Sequence, residues 1–296
     1  METKIKVDVV LASYNGKAYI AEQIKSIMSQ PYLDKGLIVS DDGSSDGTVE
    51  EINHLSSIYK SITVVNNTRV GGVVENFEKG LSFSAADYVL LSDQDDVWQS
   101  KKIEIMLDFI REKEKQIGKE KPILCFSDLT LVDENLNVIA DSFYKANNFD
   151  PLNNTREEFL LWRSTVYGCS CIFNKACLKM ALPFPENIPM HDHWLALIAA
   201  KHGAVFYYDQ PTILYRQHAN NVVGGAAFNK SHFYKLKKAK KLIAGIKRAH
   251  QGSLVMRDVM GDKRGKIKFF FDCIWPYFHE KKLFSSIFTF FHFFGK

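Results

Sequence analysis

Short apolar runs and amphipathic stretches alternate through the first 130 residues. Val7–Leu11, Leu37–Val39, Ile62–Val65, Tyr88–Leu91 and Ile123–Phe126 read as buried strands. Between them, Lys17–Gln30 places Ile20, Ile24, Ile27 and Met28 on one helical face, with Pro31 as a stop. Helices are also predicted from Asp46 to Ile58, Gly72 to Phe83 and Trp98 to Gln116. This alternation implies an α/β fold, a mostly parallel sheet with helices on both faces. Residues 131–160 read as loop or short strands, and a second structured part runs from Trp162 to Tyr215. The expected division is a domain over 1–225, in two parts at about 1–130 and 131–225, followed by a helical appendage over 226–296.

Composition sharpens this picture at the C-terminal end. Residues 230–296 hold 16 Lys/Arg against 4 Asp/Glu, whereas 1–229 hold 22 against 30, so an acidic body carries a basic tail. In the tail, Leu236, Ala239, Leu242, Ile243 and Ile246 recur at helical spacing among lysines, and residues 269–294 include 12 aromatics. No apolar run is long enough to span a bilayer, and no signal peptide precedes the first strand. The tail therefore reads as an interfacial anchor on an anionic membrane surface, with packing on the main domain or a homodimer interface as the alternative. Nucleic acid is not an expected partner, since no recognition motif accompanies the charge. Five cysteines at irregular spacing suit a reduced compartment and no metal cluster.

In parallel α/β sheets ligands bind beyond the carboxyl ends of the strands. Four polar clusters fall there: Ser13-Tyr14-Asn15-Gly16, Asp41-Asp42-Gly43-Ser44-Ser45-Asp46, Asn66-Asn67-Thr68-Arg69 and Asp93-Gln94-Asp95-Asp96. Three carboxylates within four residues repel one another, and Mn²⁺ or Mg²⁺ would relieve that repulsion. The alternative for Asp96 is a helix N-cap before Trp98, and for Asp46 an Asx-turn with a cap. Asp41, nearest the strand end, is the better candidate of its cluster for a base or ribose contact.

The segments Val10-Leu11-Ala12-Ser13-Tyr14-Asn15, Val39-Ser40-Asp41-Asp42-Gly43-Ser44-Ser45-Asp46-Gly47-Thr48 and Leu91-Ser92-Asp93-Gln94-Asp95-Asp96-Val97-Trp98 closely resemble family-2 glycosyltransferases of the GT-A fold, the last in its bacterial rhamnosyltransferase-like form. The resemblance implies a nucleotide-diphospho-sugar donor, a divalent metal and inversion at the anomeric carbon. By this resemblance Ser13, Tyr14, Asn15, Asp41, Arg69 and Asp93 bind the nucleotide, and Asp95 ligates the metal. His218 in Tyr215-Arg216-Gln217-His218-Ala219-Asn220-Asn221 joins Asp95 or touches phosphate, and Arg216 neutralises phosphate. Asp192 in Pro189-Met190-His191-Asp192-His193-Trp194 is the expected base; His191 stands where the family carries an acidic residue. Trp98 and Gly168 are weaker candidates beside phosphate or acceptor.

The activity so implied is an inverting, metal-dependent transfer of L-rhamnose from dTDP-β-L-rhamnose to a lipid-linked precursor of a cell-surface polysaccharide, at the cytoplasmic membrane face. A UDP-hexose donor is the alternative within the same fold. A phosphotransferase or nucleotidyltransferase would also use the carboxylate cluster, but no Lys-bearing phosphate loop is present. A membrane-bound scaffold without turnover is the third reading, resting on His191.

Overall fold

The computed structural model describes residues 5–218 and 232–295, with side chains in the second part from Leu242 onward. The strands are β1 (Val7–Ser13), β2 (Lys35–Asp41), β3 (Ile62–Asn66), β4 (Tyr88–Ser92), β5 (Val97–Trp98), β6 (Ile123–Val132), β7 (Val138–Ala140), β8 (Cys171–Asn174) and β9 (Ala204–Arg216). The helices used below are α1 (Ile20–Met28), α2 (Thr48–Ile58), α3 (Val73–Leu81), α4 (Lys102–Ile117), α5 (Phe143–Asn147), α6 (Glu157–Leu160), α7 (Lys175–Ala181), α8 (His191–His202), α9 (His232–Val259), α10 (Lys266–Phe269) and α11 (Lys282–Phe294).

One sheet runs in the order β3-β2-β1-β4-β8-β6-β9-β5, with β7 paired on β6. Strands β3, β2, β1 and β4 are parallel, with Val9 in register with Leu37 on one side and Leu90 on the other. Both faces are covered, so Val9, Val10, Leu11, Val39, Leu90 and Leu91 are fully buried. Helix α3 lies close on the sheet: a Cβ on Gly80 would stand 2.6 Å from Val10 Cγ1. The reversal of strand order on either side of β1 opens a crevice at the strand ends.

The second half departs from the simple alternation. Strand β6 does not neighbour β4, because β8 inserts antiparallel between them. Helix α4 starts at Lys102 rather than Trp98: Val97 and Trp98 pair with Leu214 and Ile213 of β9, and Lys101 turns through φ 65°. The stretch read as loop or short strands holds the end of β6 and the short strand β7, but also helices α5 and α6.

The tail is docked on the main domain. Arg163 Nη1 donates to Glu280 Oε2 at 2.6 Å, with both side chains buried. Trp162 packs against Phe284 and Phe288, Phe159 against Tyr277, and Ser253 Oγ donates to Leu161 O. Packing against the main domain is thus part of the tail's role. The division at 225/226 and the lysines of 235–241, with Leu236 and Ala239 among them, lie outside the residues whose side chains are described.

Candidate active site

The loops after β1 and β2 are tied to one another through side chains. Asn15, at φ 49°, accepts from Ser45 N at 2.9 Å, and its own N–H donates to Ser44 Oγ at 2.8 Å. Gly16 N donates to Thr48 Oγ1, and Lys17 N to Asp46 Oδ2. Asp46 also accepts from Thr48 N, the Asx-turn expected at the start of α2. The loop after β4 is clipped to the first by Gln94, whose Oε1 accepts from Tyr14 N at 2.8 Å while its Nε2 donates to Tyr14 O at 3.0 Å. Gly16 makes room for this clip: a Cβ there would stand 2.1 Å from Gln94 Oε1.

The acidic loop meets the end of β9. Asp95 Oδ2 and His218 Nε2 are 2.8 Å apart, and the His218 ring stacks on Tyr19. Arg216 fixes this meeting from beneath. Its Nε donates to Asp95 O at 2.7 Å, Nη1 donates to Glu134 O, and Nη2 pairs with Glu22. Its backbone N–H donates to Asp96 Oδ1 at 3.0 Å.

Helix α8 supplies the opposite wall. Asp192, in its first turn, accepts from Gly168 N at 2.9 Å through Oδ2. His191 beside it stacks on Phe77 at 3.9 Å between ring centres, and neither ring nitrogen has a partner. A Cβ on Gly168 would come within 2.8 Å of His191 Nε2, so the glycine is needed for close approach. The His193 ring bonds Leu160 O.

These elements enclose a cavity of about 850 Å³. Of the residues singled out in the sequence, Ser13, Tyr14, Asn15, Arg69, Asp93, Asp95, Gly168, His191, Asp192 and His218 line it. Arg69 lies over the Tyr14 ring at 4.9 Å from its centre. Three expected residues do not reach the cavity. Asp41 is the last residue of β2 and fully buried; its carboxylate accepts from Ser13 Oγ, Ser44 N and Ser44 Oγ, each at 2.7 Å. The lining carboxylates of that cluster are Asp46 and Asp42, the latter also accepting from Val70 N and Gly71 N. Arg216 is 3% exposed, its guanidinium committed to the contacts above. Trp98 is a core residue of β5. Asp96 is likewise buried rather than a helix cap. Asn220 and Asn221 lie outside the described residues.

Sequence reasoning missed Tyr19 and Asn76 among the lining residues and named Gln94 only within its cluster. Asn76 carried a signal: it sits on the buried face of α3, where it bonds Ser13 O, Ser40 O and Ser40 Oγ.

Burial, with Asp95 and Asp192 nearby, pushes the Asp93 carboxyl up to about 7. Burial and the neighbouring Asp95 and Asp93 raise Asp96 well above the carboxylate range. A site that crowds carboxylates this way favours a cationic ligand. Asp95 and His218 present an oxygen and a nitrogen to the cavity, a donor pair suited to a divalent cation. Asp93, Asp96 and Cys169 also bring ligand atoms within 4.8 Å of one another, but burial holds the Cys169 thiol protonated and unsuited to a hard cation. Burial lowers the His191 pKa, so its imidazole is neutral.

The family profile described as glycosyl transferase family 2 matches residues 8–172. The chain is 29% identical over 239 residues to the dTDP-rhamnosyl transferase RfbG of Shigella flexneri, spanning 76% of this chain and 78% of that one. It is 32% identical over 107 residues to the putative teichuronic acid biosynthesis glycosyltransferase TuaG of Bacillus subtilis, 36% of this chain and 42% of the other. Among solved structures, S. aureus TarS 1-349 in complex with UDP-GlcNAc aligns with a TM-score of 0.55 at 16% identity, covering 96% of this chain and 84% of that one. The mannosyltransferase PcManGT from Pyrobaculum calidifontis, in complex with GDP-Man and Mn²⁺, aligns with a TM-score of 0.55 at 14% identity, covering 97% and 84%.

Proposed function

The chain belongs to glycosyl transferase family 2, and from that premise we infer that it moves L-rhamnose from dTDP-β-L-rhamnose onto a hydroxyl of a lipid-linked cell-surface polysaccharide precursor. The likeness to the dTDP-rhamnosyl transferase supports the donor, and the likeness to a teichuronic acid enzyme supports a polysaccharide acceptor. The observation that carries the reading is that Asp192 and the Asp95–His218 pair line one cavity.

Tyr14, Asn15, Asp42 and Arg69 would receive the nucleoside, in the walls made by the β1, β2 and β3 loops. Asp93 would take the ribose. Asp95 and His218 would hold Mn²⁺ or Mg²⁺, which when bound neutralises the donor diphosphate. The acceptor oxygen attacks the anomeric carbon as Asp192 takes its proton. The bond from that carbon to the diphosphate oxygen breaks, the nucleoside diphosphate leaves with the electron pair, and the configuration inverts. The Gly168 N–H holds the Asp192 carboxylate in place for this step. His191, neutral and stacked on Phe77, packs against Gly168 beside the base.

Calorimetric titration with dTDP and UDP, with and without Mn²⁺, followed by transfer assays with the matching sugar nucleotides, tests this reading. Metal-dependent binding of dTDP supports it. Binding of UDP in its place would move the donor to a UDP-hexose, and binding of neither by the folded protein would refute it.

A further inference from the structure

The tail buries one set of aromatics against the main domain and leaves a second set in solvent. Phe271 and Trp275, four residues apart, are both 58% exposed, and Phe290 and Phe294, four apart on α11, are 60% and 75% exposed. Ring contacts join the two pairs. Phe270 touches Phe271, Trp275 and Phe293 at 5.2–5.9 Å between centres, and Phe294 touches both Phe293 and Phe290. Helices α10 and α11 are also clamped where Lys266 Nζ donates to Phe293 O and His292 Nε2 meets Lys266 O. The result is one rigid aromatic ridge rather than scattered exposed residues.

Charge decides what covers it. Lys263, Lys268 and Lys282 are exposed in the same part of the chain, and Lys266 joins α10 to α11. The acids of this region are largely spent elsewhere: Glu280 on Arg163, and Asp262 on Arg257 and Arg264. Asp272, 3.8 Å from Arg264, and the exposed Asp258 remain. A symmetric partner carrying the same lysines would meet like charge, whereas an anionic lipid surface meets both the aromatics and the lysines. No described helix is long and apolar enough to cross a membrane.

We propose that the Phe271–Trp275–Phe290–Phe294 ridge is a docking surface for a bilayer containing anionic lipid. The tail reaches the cavity wall through Arg163, the neighbour of the cavity-lining Ser164. A docked ridge would therefore hold the cavity at the surface from which a lipid-linked acceptor comes.

The four tryptophans all lie among the described residues, and Trp98, Trp162 and Trp194 are buried while Trp275 is exposed. Trp275 is thus a built-in reporter. The full chain is mixed with vesicles of phosphatidylcholine alone or with phosphatidylglycerol, and pelleting and quenching by brominated lipid are read. Pelleting and quenching with the anionic vesicles are expected, and Trp275→Phe should silence the quenching while leaving pelleting intact. Phe271→Ser with Phe294→Ser, or Lys263→Glu with Lys268→Glu, should weaken pelleting about tenfold or more. All of these residues are exposed, and unchanged thermal melting and nucleotide binding without lipid confirm that the variants fold. Absence of pelleting, equal pelleting with phosphatidylcholine alone, or a dimer in sedimentation that the same variants abolish would each overturn the proposal. Nucleotide binding in the same samples separates that failure from failure of the donor reading.

Discussion

Asp95 and His218 stand 123 positions apart in the chain and meet at 2.8 Å. Their contact closes the end of β9 onto the loop after β4, and each contributes one donor atom to the cavity. Asp95→Ala should abolish Mn²⁺-dependent binding of the nucleoside diphosphate, and His218→Ala should weaken it about tenfold or more. Chelation of the metal in wild type should reproduce the Asp95→Ala titration, which calorimetry can check.

Asp192→Asn keeps an acceptor for the Gly168 N–H but no longer takes a proton. Transfer should fall about 10²–10⁴-fold while donor binding stays unchanged. Steady-state rates set beside donor titrations separate the two; a parallel loss of donor affinity would remove Asp192 from the role of base.

Gly16 and Gln94 form a matched pair. Gly16→Ala would drive its methyl into the Gln94 carboxamide and break the clip to Tyr14, at a cost of about 1–3 kcal/mol. In a Gln94→Ala background the same substitution should cost much less. Chemical denaturation of the four proteins closes the cycle.

The parallel half of the sheet and its four polar strand ends were legible because both are written in local periodicity. What stayed hidden was decided across long separations. Whether Asp41 or Asp42 faces the cavity depends on where β2 ends, since successive side chains point to opposite faces. Strand β2 runs through Asp41, which therefore turns inward to Ser13 and Ser44. The two-residue strand at Trp98 exists only because β9 arrives beside it. Arg216 has the charge for phosphate, but its fate was settled by the carbonyls of Asp95 and Glu134, which the chain brings from far away. The insertion of β8 rests on four residues, too few to show their pairing in a pattern.

Alkaline pH should destabilise the fold. Burial raises the thiols of Cys125, Cys169 and Cys171 well above their usual value, so the folded chain keeps protons that the unfolded chain releases. Their contribution is fully present below about pH 8.5 and is lost as pH rises beyond it. Lys102, lowered to about 8 by burial, acts in the opposite sense between that value and its unfolded one. Urea midpoints at pH 8 and pH 10 should show a net fall, shallower in Cys125→Ala and steeper in Lys102→Met.

Arg163 and Glu280 form a buried pair that joins tail and body. Removing either partner alone, as in Glu280→Ala, should cost about 3–5 kcal/mol. Arg163→Met with Glu280→Leu should cost less than either single change, because no charge is then left buried and unpaired. Thermal or urea unfolding of the three variants checks the order.

Helix α9 passes so close to the chain ahead of α8 that a Cβ on Gly252 would stand 2.8 Å from Pro189 Cβ. Pro189 is two residues before His191 and three before Asp192. The tail and this wall of the cavity are therefore not interchangeable parts. A chimera that borrows its cavity from one relative and its tail from another would have to carry this glycine–proline contact across the junction intact, and a new acceptor preference would have to be sought in both segments at once.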